Sequence, residues 1–215
     1  MSDTTTLAEP PDAASVEAPL EAPGEAPVET LALRTVLHVG CGAANPDKLP
    51  AAFFTRGEWH ELRLDIDPGV APDIQASITD MAMVADGAVD AVWSAHNLEH
   101  LAPHEVAVAL AEFHRVVRPG GFVAATVPDL QQVAALVADD KLEDAAYISA
   151  MGPIAPLDML FGLRSALAAG NVFMAHRTGY TATTLAGAFT AAGFAPVQVV
   201  RDGHFALWVT AVRPG

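Results

Sequence analysis

Short apolar runs alternate with longer amphipathic stretches along residues 34–128, and this alternation constrains the fold more than any other feature of the sequence. Five runs predict strands: TVLHV (35–39), ELRLD (61–65), PDIQA (72–76, a short edge strand), VDAVWS (89–94) and FVAATV (122–127). Strands that are separated by helical crossovers form a mainly parallel sheet. Such a sheet binds its ligands at the carboxyl ends of the strands.

The segments between and after these runs predict helices. Residues 103–117 carry apolar side chains at helical spacing, and Pro119-Gly120-Gly121 ends this helix. For the last helix, Thr181 is the expected N-cap and Gly193 follows the final turn. That last helix covers 182–192; the other expected helices are a short one entered at Asn45-Pro46 and broken near Pro50, and longer ones at 131–150 and 157–169.

The C-terminal region has a different pattern. APVQVVR (195–201) and HFALWVTAV (204–212) flank Asp202-Gly203, and this arrangement is typical of a β-hairpin. A terminal hairpin adds one antiparallel strand to the sheet. The sequence therefore predicts an α/β protein with a Rossmann-like, doubly wound, mainly parallel sheet and a C-terminal antiparallel hairpin strand.

The first 33 residues differ from the rest of the chain. They contain seven acidic residues, no Lys or Arg, and few large apolar side chains. Such a segment buries too little apolar surface to offset the entropy of ordering it. We expect a disordered acidic Ala/Pro/Glu-rich tail over residues 1–33 and one domain over residues 34–215, with a helical insertion on the substrate side at 129–170.

The formal net charge of −15 restricts the partners of the chain. No basic patch is visible in the sequence, so nucleic-acid phosphates would be repelled. The apolar runs are too short for a membrane span, the first residues lack the pattern of a secretory signal, and Cys41 is the single cysteine. We expect a cytoplasmic protein that acts on a small molecule and binds neither nucleic acid nor membrane; the oligomeric state stays open.

The stretch TVLHVGCGAANPDKLP (35–50) ends its strand in a glycine-containing turn. Gly40 and Gly42 permit a sharp turn and let a ligand approach the backbone closely. Dinucleotide-binding motifs have a third glycine where this chain has Asn45. This difference argues against a nicotinamide cofactor.

Acidic residues follow the glycine turn at positions that suit the binding of a nucleoside. Asp65 ends the second strand, where an acid accepts hydrogen bonds from ribose hydroxyls; Asp67 is the alternative ligand for that role. In "ASITDM", Asp80 offers an acceptor for an adenine amino group and Met81 offers an apolar side chain for the face of the ring.

With "DAVWSAHNLEHL" (90–101), "LAEFHRVVRPGG" (110–121) and the final hairpin, this ordered series resembles the class I S-adenosylmethionine-dependent methyltransferases, in particular the small single-domain, methyltransferase type 11-like group. The resemblance covers residues 34–127 well and 181–212 more loosely. It implies transfer of a methyl group from S-adenosyl-L-methionine to a small-molecule acceptor, with His96 and Asn97 near the sulfonium. The implied cofactor-binding residues are His38, Gly40, Gly42, Asp65, Asp80, Met81, His96 and Asn97.

His96 and His176 are the candidate catalytic residues. His96 follows the fourth strand directly, so its side chain should reach the ligand edge of the sheet, and a neutral imidazole accepts a proton near pH 7. His176 lies with Arg177 and Tyr180 in a polar break between two helices. The alternative for each histidine is a hydrogen-bonding role within its own turn or loop.

Other interpretations stay open beside this one. His96 and His100 are four residues apart but lack the H-E-x-x-H order and an obvious third ligand, so no metal site is predicted. His38 stands where the family has an acid, and Ala44 where it has a third glycine. A module that binds the cofactor without turnover is therefore one alternative, and a nicotinamide-dependent oxidoreductase, disfavoured by Asn45 and the hairpin, is the other.

Overall fold

The computed structural model describes residues 32–45 and 47–215. The predicted acidic tail, residues 1–33, lies outside the described residues except for its last two positions. The described strands are β1 (Arg34–Val39), β2 (Trp59–Asp65), β3 (Ile74–Gln75), β4 (Val89–Ala95), β5 (Val117–Pro128), β6 (Tyr147–Ser149), β7 (Gly152–Ile154), β8 (Val197–Arg201) and β9 (Ala206–Val212). The described helices are α1 (Pro103–Val116), α2 (Leu130–Ala138), α3 (Pro156–Phe161), α4 (Arg164–Ala168) and α5 (Ala182–Ala191).

One sheet organises the described residues, with the strand order β3-β2-β1-β4-β5-β9-β8. Strands β3, β2, β1, β4 and β5 pair in parallel, whereas β9 is antiparallel to both β5 and β8. The predicted fold class is therefore confirmed, including the single antiparallel strand that the hairpin inserts. The strand order reverses between β1 and β4, and a cleft at such a switch point is where open α/β sheets bind ligands.

Helices α1 and α5 cover one face of the sheet. Their inward residues Leu110, Phe113, Leu185 and Phe189 are almost completely buried in the main core, as the helical spacing of the sequence predicts. The side chain of Thr181 accepts a hydrogen bond from the backbone N–H of Thr184, so the expected N-cap of α5 is present.

An aromatic cluster covers part of the opposite face. Phe54 and Trp93 are buried there, and Phe53, Trp59, Phe122 and Trp208 pack against them. The short helix expected between Asn45-Pro46 and Pro50 is wrong for the described part of this segment, because residues 47–53 form turns. Pro50 lacks an N–H for a helical hydrogen bond, which favours the turn.

The segment 129–170 is less helical than predicted. Helix α2 ends at Ala138 rather than near residue 150, and β6, which lies within the predicted helix, pairs with β7 in a small antiparallel hairpin. The predicted helix 157–169 is divided at Gly162, which has a φ of +99°. A Cβ at Gly162 would lie 1.9 Å from the carbonyl oxygen of Met174, so no other residue fits. None of the described helices is both long enough and apolar enough to cross a membrane.

Candidate functional site

A cavity of about 690 Å³ opens at the carboxyl edge of the parallel strands. The ends of β1, β2 and β4 form one wall, and β6, β7, α3 and the segment 171–177 form the other. Its volume lies within the range of about 300–1,000 Å³ that is usual for small-molecule sites. Of the predicted site residues, Gly40, Gly42, Asp65, His96, Asn97 and His176 lie on its walls.

The turn after β1 is tied to the end of β2. Gly40 and Gly42 have φ values of +58° and +59°, a conformation that favours glycine. The Gly42 N–H donates to Asp65 Oδ2 at 2.8 Å, and Lys48 Nζ donates to the carbonyls of Cys41 and Ala43 at 2.7 and 2.8 Å. These bonds hold the turn in one shape at the cavity wall.

Asn97 closes the other side of this turn. Its Nδ2 donates to the Val39 carbonyl at 3.0 Å and to Ser94 Oγ at 3.2 Å, so one amide joins the ends of β1 and β4. A Cβ at Gly40 would lie 1.9 Å from Asn97 Oδ1. The glycine is required because the amide packs directly against it.

Asp65 lies at the end of β2 with only 9% of its surface exposed. Its Oδ1 accepts from the Asp67 N–H at 2.9 Å, in addition to the bond between Oδ2 and Gly42. Asp67 also lines the cavity, but its Oδ1 caps a short 3-10 turn by accepting from Gly69 N–H at 2.8 Å. Asp65 therefore holds the turn after β1 to the end of β2, whereas Asp67 caps the 3-10 turn that follows β2.

The structure does not bring Asp80 and Met81 to the cavity. Met81 is fully buried in the main core, where its N–H donates to Glu112 Oε2 at 2.7 Å, and Asp80 lies on the outer surface. Ile78 and Thr79 line the cavity instead, and these residues lie two positions before the predicted pair. The sequence carries no periodic signal over this irregular segment, so pattern reasoning missed both residues, and it missed Ile66 beside Asp65 as well.

His38 also lies away from the cavity. Only 2% of its surface is exposed, and its Nδ1 is 2.6 Å from Glu61 Oε1 on the neighbouring strand β2. Burial lowers the pKa of His38, although the hydrogen bond and charge of Glu61 act in the opposite direction. The expected contact between His38 and a cofactor therefore has no support in the geometry, because strand alternation directs this side chain to Glu61.

His96 occupies a left-handed backbone conformation, with a φ of +53°. This conformation is costly for a residue other than glycine and recurs at functional sites. The imidazole is half exposed on the cavity wall, and its Nδ1 lies 3.1 Å from Glu99 Oε1. Partial desolvation by the surrounding cavity wall lowers the pKa of His96, but the hydrogen bond and the charge of Glu99 outweigh it and raise the pKa above its ordinary value.

His176 reaches the same cavity from the segment that follows α4. Its Nδ1 donates to the Met159 carbonyl at 2.9 Å, and its ring lies 4.9 Å from the ring of His100. Burial lowers the pKa of His176 and favours the neutral imidazole. The structure thus brings the two candidate histidines to one site, while their catalytic roles stay predictions.

Apolar side chains of the 129–170 segment enclose the cavity from the side opposite the sheet. Tyr147, Met151, Ile154 and Met159 line this wall, together with Phe173 from the following segment. The segment therefore lies next to the site, and its role on the substrate side stays a prediction.

Comparison with known proteins adds independent information. A family model described as a methyltransferase domain matches residues 37–125. Malonyl-[acyl-carrier protein] O-methyltransferase of Dechloromonas aromatica (strain RCB) is 29% identical over 164 residues, which cover 71% of this chain and 60% of that protein. The chain therefore spans less than two thirds of the length of this relative.

Solved structures share the fold at low sequence identity. The 1,6-didemethyltoxoflavin-N1-methyltransferase of Burkholderia thailandensis, with bound 1,6-didemethyltoxoflavin and S-adenosylhomocysteine, aligns with a TM-score of 0.53 and 17% identity, covering 85% of this chain and 72% of that one. A SAM-dependent methyltransferase of Archaeoglobus fulgidus aligns with a TM-score of 0.54 and 13% identity, covering 83% of this chain and 86% of that one.

Proposed function

We propose that this chain is a class I S-adenosylmethionine-dependent methyltransferase and that it transfers a methyl group from S-adenosyl-L-methionine to a small-molecule acceptor; the methyltransferase-domain match over residues 37–125 supports this assignment. The observation that carries the proposal is the position of Asp65. Its carboxylate ends β2, is held by the glycine turn of β1, and borders the same cavity as His96.

The Asp65 carboxylate has enough free acceptor sites to bind the hydroxyl groups of a ribose. A carboxylate has about four acceptor sites, and the backbone N–H groups of Gly42 and Asp67 use one on each oxygen. The remaining sites can accept from two ribose hydroxyls. The residues therefore fit the nucleoside part of S-adenosyl-L-methionine, with Ile66 and Ile78 on the cavity wall as the apolar partners of the adenine ring.

The size of the cavity, about 690 Å³, supports a small acceptor. Tyr147, Met151, Ile154 and Met159 line it, and these side chains favour an acceptor with an apolar portion. Arg177 also lines the cavity and offers a guanidinium to an acidic group of that acceptor. The net charge of −15 argues against nucleic acid as the acceptor.

When bound, the cofactor supplies a methyl group that is already activated on a sulfonium. The main task of the protein is then to align the acceptor with that carbon, which lowers the barrier by several kcal/mol or more. His96 takes up a proton where the acceptor must lose one, and the carboxylate of Glu99 stabilises the resulting imidazolium.

Ligand-induced stabilisation tests the choice of cofactor. A ligand at 100 times its dissociation constant stabilises the folded state by about 2.7 kcal/mol, which for a chain of this size raises the melting temperature by roughly 5 to 11 °C. We expect this shift with S-adenosyl-L-methionine and with S-adenosylhomocysteine. A shift with NADH alone would contradict the proposal, and binding without any S-adenosylhomocysteine formed from a fractionated metabolite pool would indicate a non-catalytic module.

A matched pair of substitutions tests the role of Asp65. Asp65→Asn keeps the shape and one carbonyl acceptor but loses the charge, and hydrogen bonds to a charged group are worth about 1.5–3 kcal/mol. S-adenosylhomocysteine should therefore bind roughly 10-fold to 150-fold more weakly by calorimetry. The control Asp67→Asn keeps its capping position and should change affinity much less; the reverse ranking would assign the ribose to Asp67.

A further inference from the structure

Glu99, His100 and His176 form a cluster on the cavity wall. Each of the three residues offers one metal-ligating atom, and these atoms lie within 4.8 Å of one another. Glu99 and His100 follow β4, whereas His176 comes from a segment more than 70 residues later in the chain. The methyl transfer proposed above gives His100 no role and uses only one oxygen of Glu99.

The carboxylate of Glu99 has one oxygen without a partner. Only 1% of the residue is exposed, and Oε1 is engaged by His96 Nδ1 at 3.1 Å. Among the described residues, Oε2 is buried and has no hydrogen-bond partner. A buried carboxylate oxygen that lacks a partner is costly, so this atom indicates that a positively charged or proton-donating group belongs beside it.

A backbone carbonyl engages one nitrogen of each imidazole. His100 Nδ1 lies 3.2 Å from the Ala175 carbonyl, and His176 Nδ1 lies 2.9 Å from the Met159 carbonyl. A carbonyl oxygen only accepts hydrogen bonds, so both Nδ1 atoms carry the proton and both Nε2 atoms keep a free lone pair. Backbone carbonyls that hold one ring nitrogen in this way are typical of metal-ligating histidines.

Backbone hydrogen bonds hold the two distant segments together. The Glu99 carbonyl accepts from the N–H groups of Arg177 and Thr178 at 2.8 and 3.2 Å. Tyr180 is buried, and its hydroxyl donates to the Leu98 carbonyl at 3.4 Å. The cluster is therefore built into the fold and does not depend on a chance approach of surface side chains.

We propose that Glu99, His100 and His176 bind one divalent transition-metal ion, with zinc as the best fit to the donor set. Two imidazoles and one carboxylate match catalytic zinc sites that leave a coordination position open, whereas magnesium and calcium prefer oxygen ligands. Bonds of about 2.0–2.2 Å require the three ligating atoms to move closer by up to about 1 Å, which rotation of the imidazoles allows. All three residues line the cavity, and His96 Nδ1 contacts the other carboxylate oxygen, Oε1.

Metal binding by the full chain, freed of any purification tag and of metal by chelation, tests this site directly. Cobalt(II) serves as a spectroscopic probe for zinc, and calorimetry measures zinc itself. We expect one ion per chain and visible absorption bands from cobalt in a low-coordinate site. We also expect zinc to raise the melting temperature of the chelated protein, whereas magnesium should not.

Substitutions locate the site. His176→Ala and Glu99→Gln should each weaken zinc binding by at least 100-fold and abolish the cobalt bands. His104→Ala changes an exposed histidine of α1 outside the cluster and should leave both unchanged. Loss of zinc binding in His104→Ala, or unaltered binding in His176→Ala, would overturn the assignment.

The wild-type measurement decides the question even where a variant fails to fold. No uptake of zinc or cobalt by the wild type would refute the site. The shift with S-adenosylhomocysteine, recorded on the same samples, reports the proposed function separately, because cofactor binding through Asp65 does not require the metal.

Discussion

The contact between Gly40 and Asn97 yields the sharpest prediction about the site. In Gly40→Ala the new Cβ would lie 1.9 Å from Asn97 Oδ1, 2.4 Å from Cγ and 2.7 Å from Nδ2. All three atoms of the amide are too close, so rotation of the side chain about its last bond cannot relieve the clash. The amide must leave, and its bonds to the Val39 carbonyl and to Ser94 Oγ are lost.

Two costs contribute to the destabilisation. Alanine at a φ of +58° costs about 1–2 kcal/mol relative to an ordinary conformation. Each of the two lost hydrogen bonds is worth about 0.5–1.5 kcal/mol. Together these costs predict a decrease of about 2–5 kcal/mol in the free energy of unfolding, and a melting temperature lower by roughly 4–20 °C.

Two further variants separate the causes. Gly57→Ala introduces alanine at a φ of +85° with no atom within 4 Å of the new Cβ, so it measures backbone strain alone. Asn97→Ala removes the amide that would clash. We therefore expect Gly40→Ala to lower the free energy of unfolding less in the Asn97→Ala background than in the wild type. Thermal unfolding followed by circular dichroism measures all of these variants. If Gly40→Ala melts no lower than Gly57→Ala, the amide moves without cost and the reasoning is refuted.

Two further predictions concern stability away from the glycine turn. Gly187 is an exposed residue inside α5 with free space around it, so Gly187→Ala should stabilise the chain by about 1 kcal/mol; an unchanged or lower melting temperature would contradict this. Burial raises the pKa of Asp158, but the hydrogen bonds from Arg164 and two backbone N–H groups outweigh it and lower the pKa below 3.8. The stabilisation by this pair is then complete above about pH 4 and is lost as the pH falls through the lowered pKa. Arg164→Met should therefore be less stable than the wild type at pH 7, and the difference in unfolding free energy should shrink with acidification; a difference that does not change with pH would refute the assignment.

Local patterns in the sequence were sufficient to predict the main strands of the sheet. The apolar runs that became β1, β4 and β5 are buried on both faces over most of their length, so their composition alone identifies them as central strands, whereas β2 is buried only at its end. The Asp202-Gly203 turn and the alternation around it predicted the terminal hairpin. Asp65 was correctly predicted at the ligand edge, because the end of an apolar run marks the end of its strand.

Irregular segments were predicted less well because they have no period. Between β3 and β4 the chain forms turns, and the two-residue difference that brings Ile78 and Thr79 to the cavity, in place of Asp80 and Met81, depends on how these turns pack. Strand β6 was likewise predicted as the end of a helix, because apolar residues alone do not distinguish a helix from a strand over a short stretch.

The sequence by itself determined the order of the elements, the family resemblance and the acid at the end of β2. Only the tertiary structure decided which side chains meet. It paired His38 with Glu61 inside the fold and joined Glu99 to His176 across more than 70 residues of chain. The physical reason is that local propensity acts over a few neighbouring residues. The contacts named above instead join segments that are distant in sequence and meet only when the sheet and its covering layers have formed.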